Sequence, residues 1–200
     1  RRNRNARERG VISPFAIPLE GERMNQQNDD RWHRKQAEEL LARPCRPDEA
    51  ARAHLTLGCV HEHEVNWEAA IASYRQVLAC DPQDPTVKYF GNNNLGYSLI
   101  QLGRFDEAED YCLAAVDVDG HRHNAHKNLG LVYQGQGRWL DAALSFLTAY
   151  ELNPRDPRAW HHLEQVLAAR PVLLKQSESL RAGVKAMQEA ISGGGCTVMQ

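Results

Sequence analysis

Residues 123–156 read HNAHKNLGLVYQGQGRWLDAALSFLTAYELNPRD, and their pattern occurs twice more upstream. Leu129-Gly130 is matched by Leu95-Gly96 and Leu57-Gly58, with the glycines 34 and then 38 residues apart. Twelve residues beyond each glycine stands an alanine: Ala142, Ala108 and Ala70. Four further on is a bulky or apolar residue, Phe146, Cys112 or Tyr74. Eight beyond that comes a helix breaker, Pro154, Gly120 or Pro82. An aromatic, Trp139, Phe105 or Trp67, stands three residues before each alanine. A period of this size marks a stacked array of small units.

The spacing has a physical reason. Each unit predicts two antiparallel helices, A and B, too small to bury their apolar faces alone, so neighbours must stack. A glycine at the eighth position of helix A lets helix B approach, and the alanine at the twentieth does the same from the other side. The breaker at position 32 ends helix B. The four extra residues between the first two units, near Pro85-Thr86-Val87-Lys88, add about one turn. They predict an early start to the next helix A, with Pro85 at its first position.

These residues resemble the tetratricopeptide repeat family, whose pattern is an aromatic, two residues, Leu-Gly, two residues, Tyr, then Ala, three residues, Phe, and finally Pro. The resemblance covers about 51–156 and a partial fourth unit from Pro157, which keeps Trp160 and Leu163 but has Glu164 for the glycine and Gln176 for the alanine. His54 and Asn92 depart from the family pattern at the aromatic position, and His61 and Leu99 at the tyrosine position. The expected fold is all-α, an α-solenoid of antiparallel helix pairs with about three units, a partial fourth and a C-terminal capping helix. The expected boundaries are a disordered tail over 1–28, a leading helix over 29–44 and a repeat domain over 45–192. Its units span about 51–84, 89–122, 123–156 and the partial 157–170, with a capping helix over 171–192. A flexible tail over 193–200 follows the Gly193-Gly194-Gly195 stop. Asp30 is expected to cap the leading helix, which carries Trp32, Leu40 and Leu41. In the last helix, Leu173, Leu180, Val184, Met187 and Ile191 recur at helical spacing. That stripe is expected to cover the end of the stack, with self-association through it as the alternative.

Composition narrows the function. The 200 residues are 42% hydrophobic and 25% charged, with net charge −2. No apolar run approaches the ~18 residues of a membrane helix, so no membrane contact is expected. The near-neutral balance argues against nucleic acid, which calls for a basic face. Five cysteines at irregular spacing predict neither a disulfide ladder nor a metal motif and fit a reducing, cytoplasmic setting. Charge is uneven: residues 51–120 hold 4 Lys and Arg against 11 Asp and Glu, while 121–200 hold 9 against 6. Five arginines fall in the first ten residues without interleaved aromatics, and the chain begins with Arg1, so Met24 is a plausible translational start.

The resemblance implies that the A helices line a concave face that binds extended peptides through positions 2, 5, 6, 9, 12 and 13. In the first unit these are Arg52, Leu55, Thr56, Cys59, Glu62 and His63. In the second they include Phe90, Asn93, Asn94, Tyr97, Ile100 and Gln101. The third contributes Asn124, Lys127, Asn128, Leu131 and Gln134, and the fourth Arg158, His161, His162 and Gln165. Asn94 and Asn128 share the sixth position, and an amide that both donates and accepts can pair with a peptide backbone without reading side chains. They resemble the rungs of an asparagine ladder, and removing both is expected to weaken binding at little cost in stability. The family's carboxylate clamp wants Lys and Asn at positions 5 and 9 of its first unit. Leu55 and Cys59, or Asn93 and Tyr97, stand there, so a standard clamp is not expected. A weaker site for anionic peptides around Lys127, Arg158 and His162 remains open.

Catalytic chemistry finds little support. Gly135-Gln136-Gly137 joins two helices and lacks the strand and Lys-Ser/Thr of a phosphate loop. His61 and His63 lie two apart, which separates them on a helix, whereas His123 and His126 share a face. Neither group has a cysteine pair at zinc spacing. Cys59 is the thiol whose reactivity would merit testing, and Glu107, Glu109 and Asp110 read as solvated on outer B helices. The expectation is a non-catalytic module without cofactor that binds a protein or peptide segment. The alternatives are a dedicated chaperone similar in size to those of type III secretion and a metal- or thiol-dependent enzyme.

Overall fold

The computed structural model describes residues 20–193, with side chains for residues 26–189. Its elements are α1 (Glu20–Leu41), α2 (Pro47–His63), α3 (Trp67–Ala79), α4 (Pro85–Gln101) and α5 (Phe105–Val118). They continue as α6 (His123–Gly135), α7 (Trp139–Leu152), α8 (Pro157–Ala169), α9 (Leu173–Gln176) and α10 (Glu178–Gly193). No strand occurs among the described residues. The fold is the all-α solenoid of helix pairs expected from the repeat.

Local chemistry sets the starts. Asp84 Oδ1 accepts from Thr86 N at 2.8 Å, and Asp156 Oδ1 from Arg158 N at 3.1 Å. Each of these caps is followed by a proline at the first helical position, Pro85 or Pro157, where a missing N–H costs no hydrogen bond. The turns within units differ. Gly103 and Gly137 have φ of 71° and 76°, whereas Val65 holds the same place in the first unit at φ 59°. A β-branched residue in that region is strained.

Helices α2, α4 and α6 pack side by side as an inner wall, and each packs against the B helix that follows it. Gly130 shows why the glycine is needed: a Cβ there would lie 2.4 Å from the Phe146 ring. Gly58 and Gly96 meet Tyr74 and Cys112 in the same way. One core runs through Ile71, Tyr74, Leu95, Leu99, Cys112 and Val132. A second gathers Phe146, Leu147, Leu163 and Val166 with Leu180, Val184 and Met187 of α10. The apolar stripe of α10 is thus occupied inside the chain, with Leu180 fully buried.

Ion pairs join successive units on the outside. Arg34 meets Glu64 at 2.6 Å, Arg75 meets Glu107 at 3.3 Å, and Arg138 meets Glu109 at 2.7 Å. Glu107 and Glu109 are therefore not simply solvated. Exposed pairs contribute only ~0–1 kcal/mol each, so they define register more than stability.

Other expectations are corrected here. Residues 20–28 belong to α1, and Asp30 is internal to that helix, where Oδ1 lies 2.9 Å from His63 Nδ1. Within this stretch Gln26 Nε2 lies 3.3 Å from the same His63 Nδ1 on α2. Trp32 faces outward and is 59% exposed. The C-terminal segment is broken at Ser177, whose hydroxyl accepts from Leu180 N at 3.1 Å and starts α10. The expected tails over 1–19 and 194–200 lie outside the described residues. No described helix is long and apolar enough to cross a membrane.

Candidate functional site

The inner wall carries polar side chains at a depth where apolar ones are the rule. Asn93 and Asn128 are buried and Asn94 half-buried. Asn128 Nδ2 donates to Asn93 Oδ1 at 3.1 Å. Asn93 Nδ2 donates to Asn94 Oδ1 at 3.0 Å, and Asn94 Nδ2 donates to the Tyr74 hydroxyl at 3.4 Å. That hydroxyl donates to Cys59 Sγ at 3.6 Å. One hydrogen-bonded chain therefore crosses α6, α4, α3 and α2. Asn94 and Asn128 are not equivalent rungs: Asn128 is anchored inside the wall, and its loss leaves Asn93 without a donor. The low stability cost expected from the sequence does not survive this geometry.

Two opposite charges end the wall. At the α2 end, Glu62 is 7% exposed and accepts from Ser98 Oγ at 3.1 Å. Burial lifts its carboxyl to about 7, against the hydrogen bonds of Tyr74 and Ser98. At the α6 end, Lys127 is 4% exposed and donates to Asn124 Oδ1 at 3.3 Å. Burial pulls its ammonium down to about 8, with Arg158 adding to the shift and Asp156 opposing it. Arg158 closes on Asp156 with Nε and a terminal nitrogen at 2.8 and 2.6 Å, which holds that carboxyl far below the usual range. Burial raises the Tyr97 phenol and Glu62 raises it further, while Arg158 opposes; Tyr97 thus stands between the two ends.

His162 belongs to the basic end, and the other candidates are dispersed. His162 stacks on Phe146 with ring centroids 5.1 Å apart. Burial lowers its imidazole, followed by the charge of Lys127. An open pocket of about 370 Å³ is lined by Pro157, Arg158, His161 and His162. Leu131 is half-buried against the second core, and Tyr97 meets Trp67 edge-on at 5.9 Å. Gln101 lies exposed at the far end of α4, away from these groups.

Sequence reasoning missed Asp156 and Ser98. Asp156 was legible as a helix cap from Asp-Pro-Arg, a pattern shared with Asp84-Pro85-Thr86. Ser98 carried no signal of its own. The thiol proposal fares poorly: burial pushes Cys59 up to about 11, so it is protonated at neutral pH. His123 Nε2 lies 3.2 Å from Asp156 Oδ2, and His126 Nε2 lies 2.9 Å from Gly120 O. No three His, Cys, Asp or Glu among the described residues are grouped to hold a metal ion.

Two family models, both described as tetratricopeptide repeat, match residues 34–85 and 91–155. Human tetratricopeptide repeat protein 7B is 35% identical over 100 residues, which is 50% of this chain and 11% of that protein. The chain spans 11% to 31% of the length of the curated relatives it matches. BtubC from P. vanneervenii has the same fold, with a TM-score of 0.65, 18% identity and coverage of 88% of this chain and 78% of that one. The second such domain of human RPAP3, solved in complex with the HSP70 peptide SGPTIEEVD, superposes with a TM-score of 0.54. It is 23% identical and covers 60% of this chain and 97% of that domain.

Proposed function

Since this chain belongs to the tetratricopeptide repeat family, we propose that it is a non-catalytic interaction module holding a protein or peptide segment along its inner wall. The segment lies across Asn93, Asn94, Tyr97, Gln101, Asn124, Lys127, Asn128, Leu131, Arg158 and His162. The observation that carries this reading is the buried amide chain from Asn128 to Asn94. It spends polar groups where an apolar core would pack more simply, and it presents Asn94 half-exposed at the wall. Buried polar groups persist when they are satisfied and specify an arrangement.

The basic end sets the partner's chemistry. Arg158 and His162 line the pocket at the start of α8, with the buried Lys127 ammonium close enough to act on His162, and an acidic side chain or terminal carboxylate of the segment fits there. The RPAP3 domain binds a peptide ending in Glu-Glu-Val-Asp, and a similar acidic end suits this pocket. The donors differ from a standard carboxylate clamp, because Asn93 and Tyr97 stand where that clamp has Lys and Asn. We place the protein in the cytoplasm, where its free Cys45, Cys59, Cys80 and Cys112 stay reduced.

The test is a pull-down from native lysate read by mass spectrometry, with the parent beside Asn94→Ala and Arg158→Gln. At least one protein is expected on the parent and absent from both variants. Identical lists for all three chains would move the binding surface to the outer helices.

A further inference from the structure

Glu62 is a buried carboxylate with no cation. Its hydrogen-bond partners are hydroxyls, Ser98 at 3.1 Å and Tyr74. None of the ion pairs among the described residues includes it, although its own helix carries His61, which meets Glu64, and His63, which meets Asp30. The groups around it are neutral or acidic: Cys59 one turn back, Tyr97 and Ser98 on α4, Tyr74 on α3, and Asp30 beyond on α1. Removing a carboxylate from water is costly unless a positive partner offsets it. Asp156 at the other end, by contrast, is paired with Arg158.

Position matters as well. Glu62 holds the twelfth repeat position of the first unit, on α2, in line with the wall residues of α4, α6 and α8. Cys59 and Tyr97, which feel its charge, are half-buried, so partly exposed side chains adjoin the 7% exposed carboxylate. A long aliphatic stem with a charged head reaches such a depth while covering apolar surface on its way.

We propose that Glu62 is the recognition site for a lysine or arginine side chain of the bound segment, so that the partner lies with a basic residue over α2–α4 and an acidic one over α6–α8. This rests on the groove reading above. The groove then discriminates direction: reversing the segment sets like charges against each other at both ends, which costs affinity at each.

A random decapeptide display library selected against the parent chain at pH 8 tests this, with Arg158→Gln as the groove control and Glu62→Gln as the probe. Peptides that lose binding to Arg158→Gln are expected to share one Lys or Arg at a fixed distance from an acidic residue. In synthetic copies, changing that Lys or Arg to Gln should weaken binding to the parent by at least about tenfold and leave binding to Glu62→Gln nearly unchanged. Groove peptides without a basic position, or the same loss in both chains, would overturn the Glu62 assignment and leave the groove reading standing. A library yielding no peptide sensitive to Arg158→Gln would overturn the groove reading, and this inference with it. Glu62→Gln keeps the Ser98 contact and should melt no lower than the parent, so loss of fold does not imitate the expected result.

Discussion

The inner wall buries one charge at each end, and the two are treated differently. Glu62 and Lys127 are almost equally enclosed, at 7% and 4% exposed. Burial drives both toward neutrality, the carboxyl up to about 7 and the ammonium down to about 8. Lys127 nevertheless sits in a network with Asn124, Asp156 and Arg158, which supplies charge of both signs. Glu62 meets only hydroxyls. The same desolvation thus acts on a completed network at one end and an incomplete one at the other. The chain of amides between them ties the ends into one surface.

The largest disturbance of this comparison is mechanical. Gly130→Leu drives a side chain into Phe146 beneath the basic end and should cost roughly 3 kcal/mol or more, or abolish folding. A thermal melt reads it. A variant that melts like the parent would mean that α6 and α7 do not pack as described.

Next come the two charges, whose pH dependences should mirror each other. The folded Glu62 carboxyl titrates near 7 against an ordinary 4.5. Its stability contribution is full below about 4.5 and lost as pH rises through about 7. Glu62→Gln should therefore stabilise the protein by up to roughly 3 kcal/mol at pH 8, with no gain near pH 4. The folded Lys127 ammonium titrates near 8 against an ordinary 10.5. Its contribution is full above about 10.5 and lost as pH falls through about 8. Lys127→Met should stabilise by a similar amount at pH 7 and not at pH 10.5. Urea titrations across pH check both; parallel curves for parent and variant would remove the corresponding buried charge.

A smaller effect probes the link between the ends. Asn128→Ala removes the donor to Asn93 and should cost roughly 1–2 kcal/mol. Asn94→Ala, at a half-exposed position, should cost less. Equal losses in chemical denaturation would show the two as equivalent after all.

The smallest change concerns the unit that carries Glu62. Its turn places Val65 at φ 59° where the other units have glycine. Val65→Gly should gain about 1 kcal/mol, because relief of strain exceeds the entropy cost and the side chain is 66% exposed. An unchanged or lowered melting temperature would show that this turn stores no strain.

Much of the wall was legible beforehand. The sixth-position asparagines, Tyr97, Lys127, Arg158 and His162 come from the positions that the family resemblance implies, carried along the chain by repeat register, because one period of the solenoid maps sequence onto one face. What register does not reveal is depth. Asn94 and Asn128 share a position, yet only Asn128 is buried, since Asn93 sits opposite it on α4. Polar composition suggested a tail through residue 28, whereas α1 begins at Glu20 and Gln26 Nε2 lies 3.3 Å from His63 Nδ1 on α2. Glu107 and Glu109 looked solvated until neighbouring units brought Arg75 and Arg138 to them.

By itself, the sequence determined the repeat, its helices and the face each residue joins. Those follow from short-range rules: helical period, proline and glycine stops, and the small residues that close approach demands. Only the tertiary structure decided the electrostatics. Whether Glu62 and Lys127 meet water, a hydroxyl or an opposite charge depends on residues about thirty or more positions away, such as Ser98 and Asp156 for the two ends or Arg158 for the basic one. Desolvation is a property of the assembled wall, and no local pattern encodes it.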